Sequence, residues 1–155
     1  MDRNMFRFYP VRNLCFVGDD IWFISRGINA LFKYSNKSAT VSYIELPSNV
    51  DTDFSYIATH YYDNRIIMPP VYNKGFGEYD IETGRFRQIL TPNSQHSCNF
   101  GFSFTDEEEI LCAPNYMDGP FVTFNMKNQK ECGSVFYFPK EYSSGNVTQR
   151  SVQKV

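Results

Sequence analysis

His60 and His96 are the two histidines of this 155-residue chain, and imidazole is the side chain best suited to moving protons or holding a metal near neutral pH. A zinc site needs three or four converging ligands, and no local spacing around either histidine supplies them. His60 therefore reads as hydrogen-bonded structure. The four cysteines, Cys15, Cys98, Cys112 and Cys132, are separated by 83, 14 and 20 positions and contain no CxxC pair. They read as small buried or half-buried thiols rather than a metal set or a disulfide framework. Carboxylates occur together at Asp19-Asp20, at Asp51 with Asp53, and from Asp106 to Glu109. Two carboxylates flanking a sugar bond at a defined separation would hydrolyse it. The stretch "NKGFGEY" has two glycines but opens a strand, so it is no phosphate cradle, and no GxSxG elbow is present.

Composition narrows the classes. Apolar residues make up 42% and charged residues 21%, which is globular rather than disordered. The net charge of −2 gives no electrostatic case for a nucleic acid or an anionic membrane as partner. No apolar run approaches the ~18 residues of a membrane span. Arg3, Arg7 and Arg12 have no unbroken apolar run behind them, so the start does not read as a secretory signal. The expectation is a cytoplasmic protein with reduced thiols, in which "NKS" at 36 and "NVT" at 146 are not glycosylation sites. Aromatic residues reach 17%, with 15 Phe and 11 Tyr, and such residues favour half-buried pleated surfaces.

The elements that position these groups are short strands. In "GEYDIETGRF" (77 to 86), Tyr79 and Ile81 alternate with polar neighbours, Thr83-Gly84 supplies a turn, and "RFRQI" alternates again. This predicts a β-hairpin with Gly84 at positive φ. The pattern recurs. Without a gap, "FKYSNKSATVSYI" (32 to 44) lies 45 positions before "GEYDIETGRFRQI" (77 to 89), and Ile21, Trp22 and Phe23 precede Ile66, Ile67 and Met68 by the same step. Ile110, Leu111 and Cys112 follow that trio by 44, and Phe124-Asn125 follow Tyr79-Asp80 by 45. Each unit divides into four short apolar-rich runs and carries no stretch of helical period. Asp106 to Glu109 fit an acidic turn between two strands. Four strands in about 44 residues, repeated, is the period of propeller blades. The chain reads as one all-β repeat domain, 1–155, with blades over roughly 12–47, 55–90 and 99–139 and a polar tail at 140–155.

Tyr79, Asp80, Thr83, Gly84 and Phe86 form a Tyr-Asp-x-x-Thr-Gly hairpin that resembles the third-to-fourth strand hairpin of Kelch-type and related bacterial β-propellers. The Kelch double glycine is missing, with "FISRG", "MPPVY" and "CAPNY" in its place, so the resemblance is to a Kelch-like propeller. It implies that loops joining second to third strands share a binding face with the connections between blades. On that face would lie Arg26, Asn29, Tyr72, Asn73, Lys74, Tyr116 and Asp118, with Asp51, Asp53 and His96 from the connections. Asp19-Asp20 and Asp106 to Glu109 would fall on the opposite face, as solvated turns.

Aromatic faces among hydrogen-bonding tips suit a peptide or a sugar. The expected function is a non-enzymatic scaffold that binds a protein or peptide through its loop face, with no cofactor and no metal. A carbohydrate-active enzyme or glycan-binding module is the alternative, and a truncated remnant of a longer propeller protein a further one. A closed propeller has about 4 to 8 blades and this chain supplies about three. Two chains closing a six-bladed ring, a piece of a longer array, and an open three-sheet monomer all meet that count.

Overall fold

The computed structural model describes residues 14–25, 28–47, 56–73, 75–90, 98–114 and 120–137. All regular structure among them is strand. The first sheet runs in the order β1 (Cys15–Val17), β2 (Asp20–Ile24), β3 (Ala30–Ser35), β4 (Thr40–Glu45). The second is built from β5 (His60–Tyr62), β6 (Arg65–Met68), β8 (Gly75–Asp80) and β9 (Arg85–Leu90). The third joins β10 (Cys98–Asp106), β11 (Glu109–Pro114), β12 (Pro120–Asn125) and β13 (Lys130–Tyr137). Neighbouring strands within each sheet are antiparallel. The fold is all-β, a partial propeller of three such sheets.

The turns repeat as the strands do. Gly18, Asp63 and Glu107 hold positive φ in the first-to-second strand turns, and Ala39, Gly84 and Gln129 do so in the third-to-fourth. Asp80 stabilises its turn by accepting from the Thr83 N–H at 2.7 Å through Oδ1 and from the Gly84 N–H at 2.9 Å through its carbonyl. Asn125, 45 positions on, accepts from the N–H groups of Lys127 and Asn128. These bonds satisfy turn amides that the ladder leaves unpaired.

Two details depart from the expectations. Ile81 lies in the turn rather than on the strand, and it packs against the core between the first and second sheets. Tyr72 and Asn73, placed by their sequence in a loop, belong to a further strand, β7 (Val71–Asn73). That strand leaves the second unit and pairs antiparallel with β10 as a fifth member of the third sheet. The Pro69-Pro70 pair supplies the crossing. With no N–H of their own, the prolines offer carbonyls, which accept from Ile57 and Phe100.

Alternation gives each strand two faces, and consecutive sheets bury them against one another. Trp22, Ile24 and Leu31 face forward from the first sheet onto Tyr56, Ile66, Met68 and Tyr79 of the second unit. Ile67 and Phe76 face forward from the second sheet onto Ile110, Cys112, Val122 and Phe124 of the third. Phe76 and Phe124 stack with centroids 4.1 Å apart. The middle sheet is thus buried on both faces, with Ile66, Ile67 and Met68 fully inaccessible.

Candidate functional site

At the loop end of the first sheet lies an open concavity of about 540 Å³, lined by Ile28, Asn29, Ala30, Phe32, Tyr43, Glu45 and Leu46. Its frame is local. The Asn29 amide Nδ2 donates to the Leu46 carbonyl at 2.7 Å, and the Leu46 N–H donates back to the Asn29 carbonyl at 2.9 Å. This reciprocal pair clamps the second-to-third loop to the exit of β4. Its floor is aromatic because Phe23, Phe32 and Tyr43 stand opposite one another across β2, β3 and β4. Phe23 stacks on Phe32 at 5.3 Å, and Phe32 meets Tyr43 at 6.1 Å. Tyr43 is 63% exposed, and Ile28 is exposed beside it. In the second unit the positions of Phe32 and Tyr43 hold Gly77 and Gln88. There a Cβ on Gly77 would come within 2.9 Å of the Tyr56 ring, so Tyr56 occupies the corresponding space.

Among the predicted face residues, Asn29 is the one whose side chain is described, and it serves both as a wall of the concavity and as its clamp. Tyr72 and Asn73 fall on β7, as above. Arg26, Lys74, His96, Tyr116 and Asp118, with Asp51 and Asp53, lie outside the described residues. Phe32, Tyr43 and Glu45 were missed by sequence reasoning. The available signal was the 45-residue shift, which sets two large aromatic residues over a glycine and a glutamine.

A second cluster joins the inner strands. His60 Nε2 lies 2.7 Å from Ser103 Oγ, and Nδ1 meets the Thr105 hydroxyl. Burial lowers the imidazole from its ordinary 6.5 to about 4, so it is neutral, with one nitrogen donating and the other accepting. A Ser–His contact can activate a hydroxyl, but Ser103 is only 1% exposed between two sheets and offers no approach to a substrate. The cluster pins the second sheet to the third, as the expectation of a structural His60 had it. Between the first and second sheets, Cys15 is hydrogen-bonded to Thr59, while burial pushes its thiol up to about 11. Thr59 also donates to the Trp22 carbonyl at 2.9 Å.

Nearer the rim, the buried Glu78 carboxylate accepts from Arg87 Nε at 2.5 Å, Gln129 Nε2 at 2.6 Å and Arg65 Nη1 at 3.4 Å. Gln129 belongs to the third unit, so this network also spans two sheets. Glu108 accepts from Tyr62 and Lys127 beside it. The acidic turn therefore serves as a sheet-to-sheet tie. No group of three or more possible metal ligands converges among the described residues.

No family model matches the sequence, and no curated protein matches it. Solved structures do. The extracellular domain of the putative one-component system BT4673 from B. thetaiotaomicron is 19% identical, with a TM-score of 0.59 over 83% of this chain. A catalytically inactive virginiamycin B lyase from Staphylococcus aureus is 15% identical, with a TM-score of 0.62 over 82%. The computationally designed Ika4 protein is 8% identical, with a TM-score of 0.56 over 84%. The chain spans 17% of the BT4673 domain, 41% of the lyase and 74% of Ika4. At these identities the likeness is one of fold, and that fold is the β-propeller.

Proposed function

We propose that this protein is a propeller-type binding scaffold whose ligand is an extended peptide segment of another protein, taken at the loop end of the first sheet. The observation that supports this reading is the concavity of Ile28, Phe32, Tyr43 and Leu46. It carries an exposed aromatic floor, a rigid Asn29–Leu46 wall and a single carboxylate, Glu45, among its lining residues. An aromatic floor holds an apolar side chain at low entropic cost, and one acid at the edge orients a basic neighbour. The half-buried thiol of Cys15 suits a reducing, cytoplasmic setting. The hairpin through Asp80 and Gly84 carries the Kelch-like affinity.

A second reading, a glycan-binding site, is favoured by the same exposed Tyr43 ring beside Glu45, because an aromatic face and a carboxylate together suit a sugar. The test is selection of phage-displayed random peptides on the full chain, with a glycan array run in parallel. Enriched peptides should bind with micromolar affinity and weaken at least about tenfold on Tyr43→Ala, the loss expected for one aromatic contact. Thermal stability of the single chain should stay unchanged, because Tyr43 is mostly exposed in it. Sugars binding in place of peptides, with the same loss on Tyr43→Ala, would replace the first reading by the second. Peptides insensitive to Tyr43→Ala would remove the concavity as the site.

A further inference from the structure

Two apolar sheet faces stand at opposite ends of the stack. On the first sheet, Leu14 and Phe16 are 43% and 63% exposed, with Ile21 and Phe23 half-buried beside them. On the third sheet Phe104 is 61% exposed next to the half-buried Leu111. Strand register identifies what these residues correspond to inside the molecule. The pairs Cys15–Trp22, His60–Ile67 and Phe104–Leu111 occupy the same place in their sheets, on the forward face of the first two strands. The first two reach the next sheet: Cys15 bonds to Thr59, and His60 to Ser103 and Thr105. Thr59 and Ser103 correspond in turn to Leu14, and Tyr61 and Thr105 to Phe16, on the backward face of the first sheet.

The internal interfaces thus carry hydrogen-bonded pairs at these positions, Cys15 with Thr59 at the first and His60 with Ser103 and Thr105 at the second. At the ends, every member of the set is apolar: Phe104 forward, Leu14 and Phe16 backward. The faces around them match as well. Ile21 and Phe23 correspond to Ile66 and Met68, which the second sheet packs onto the first, and Leu111 corresponds to Ile67, which the second sheet presents to the third.

We infer that the third sheet of one copy docks on the first sheet of a second copy, and the reverse, with Phe104 of each seated between Leu14 and Phe16 of the other. Both halves of this contact are carried by one chain, which is the reason for choosing a second copy as occupant. The contact is head-to-tail and the rotation closes after two copies, giving six sheets, within the ~4 to 8 of a closed propeller. Three copies would give about nine, outside that range. The inference does not rest on the peptide reading, but the two share the backward face of the first sheet, where Phe23, Phe32 and Tyr43 continue across β2, β3 and β4 the face that carries Phe16 and Ile21, so a second copy and a peptide compete there.

Light scattering on the full chain tests it, using the variants Phe104→Glu and Leu14→Lys. The wild type should have twice the chain mass, and each variant alone the chain mass. An equimolar mixture of the two variants should return to twice the chain mass. One interface then sets the introduced carboxylate against the introduced ammonium, and the other keeps the unaltered Phe104 and Leu14. Wild type at the chain mass throughout a concentration series overturns the proposal and leaves the two faces to further sheets or to another protein. A dimer that survives either substitution, or variants that stay folded by circular dichroism yet fail to recombine, overturns it too. Leu111→Glu and Phe16→Lys replace either variant that does not fold.

Discussion

His60 is the residue on which folding and proton binding are most tightly linked. Burial against Ser103 and Thr105 holds its imidazole at about 4, against 6.5 when unfolded. The native state refuses a proton that the unfolded chain accepts. The stabilising contribution is complete above pH 6.5 and is lost as pH falls toward 4. Between pH 7 and pH 4.5 the loss should be about 2 to 3 kcal/mol. Urea unfolding at the two pH values should show His60→Gln losing about 2 kcal/mol less than the wild type over that interval, since carboxylate effects cancel in the comparison. Equal losses would mean that the imidazole is solvated. The structural role of His60 was legible from its place near a strand end. Its partners were not, because a hydrogen bond across 43 positions depends on how two sheets abut. The spacing of Thr59 and Ser103, 44 apart, was the one trace of it in the sequence.

At the scale of the elements, the strands and turns were legible because alternation and turn chemistry are local. Gly84 takes φ +67° as its turn requires, and the equivalent Ala39 and Gln129 are held at +52° and +57°. A Cβ in that region is strained by about 1 kcal/mol or more. Gly84→Ala is therefore expected to lower stability by about 1 kcal/mol and Ala39→Gly to raise it by up to the same amount, read from denaturation midpoints. Opposite signs at equivalent positions would show that backbone conformation, rather than local packing, sets these turns. Gln129 is unsuited to the same test because its side chain reaches Glu78. The element that escaped sequence reasoning was β7. Three residues after two prolines carry no periodic signal, and their partner Cys98–Asn99 lies in another unit. A close approach inside the second sheet was hidden likewise. Gly77 lies against Tyr56 and Met68, so Gly77→Ala should cost about 1 to 3 kcal/mol as an overpacked core position, where a turn glycine would cost less.

Among the described residues the sheets form a stack in which the middle sheet has two neighbours and each end sheet has one. Stability in such arrays is close to a sum of unit and interface terms. Ile66, Ile67 and Met68 bury both faces of β6, and Ile66→Ala should cost about 2 to 5 kcal/mol by leaving a cavity between the first and second sheets. The count of three units was readable from the 44- to 45-residue step. What covers the ends was not, because Leu14, Phe16 and Phe104 read as ordinary apolar strand residues until the register sets them beside Thr59, Thr105 and His60. Hydrogen exchange can read the consequence sheet by sheet. In the Leu14→Lys chain, an end sheet can open while breaking a single interface, so β2, β3, β11 and β12 should exchange well before β6 and β8. In the wild type, a second copy gives each end sheet its missing neighbour. Protection in β2, β3, β11 and β12 should then rise toward that of β6 and β8 as concentration increases, because association stabilises by mass action. Protection that is uneven among the three sheets and indifferent to concentration would mean that the ends of the wild-type stack are open.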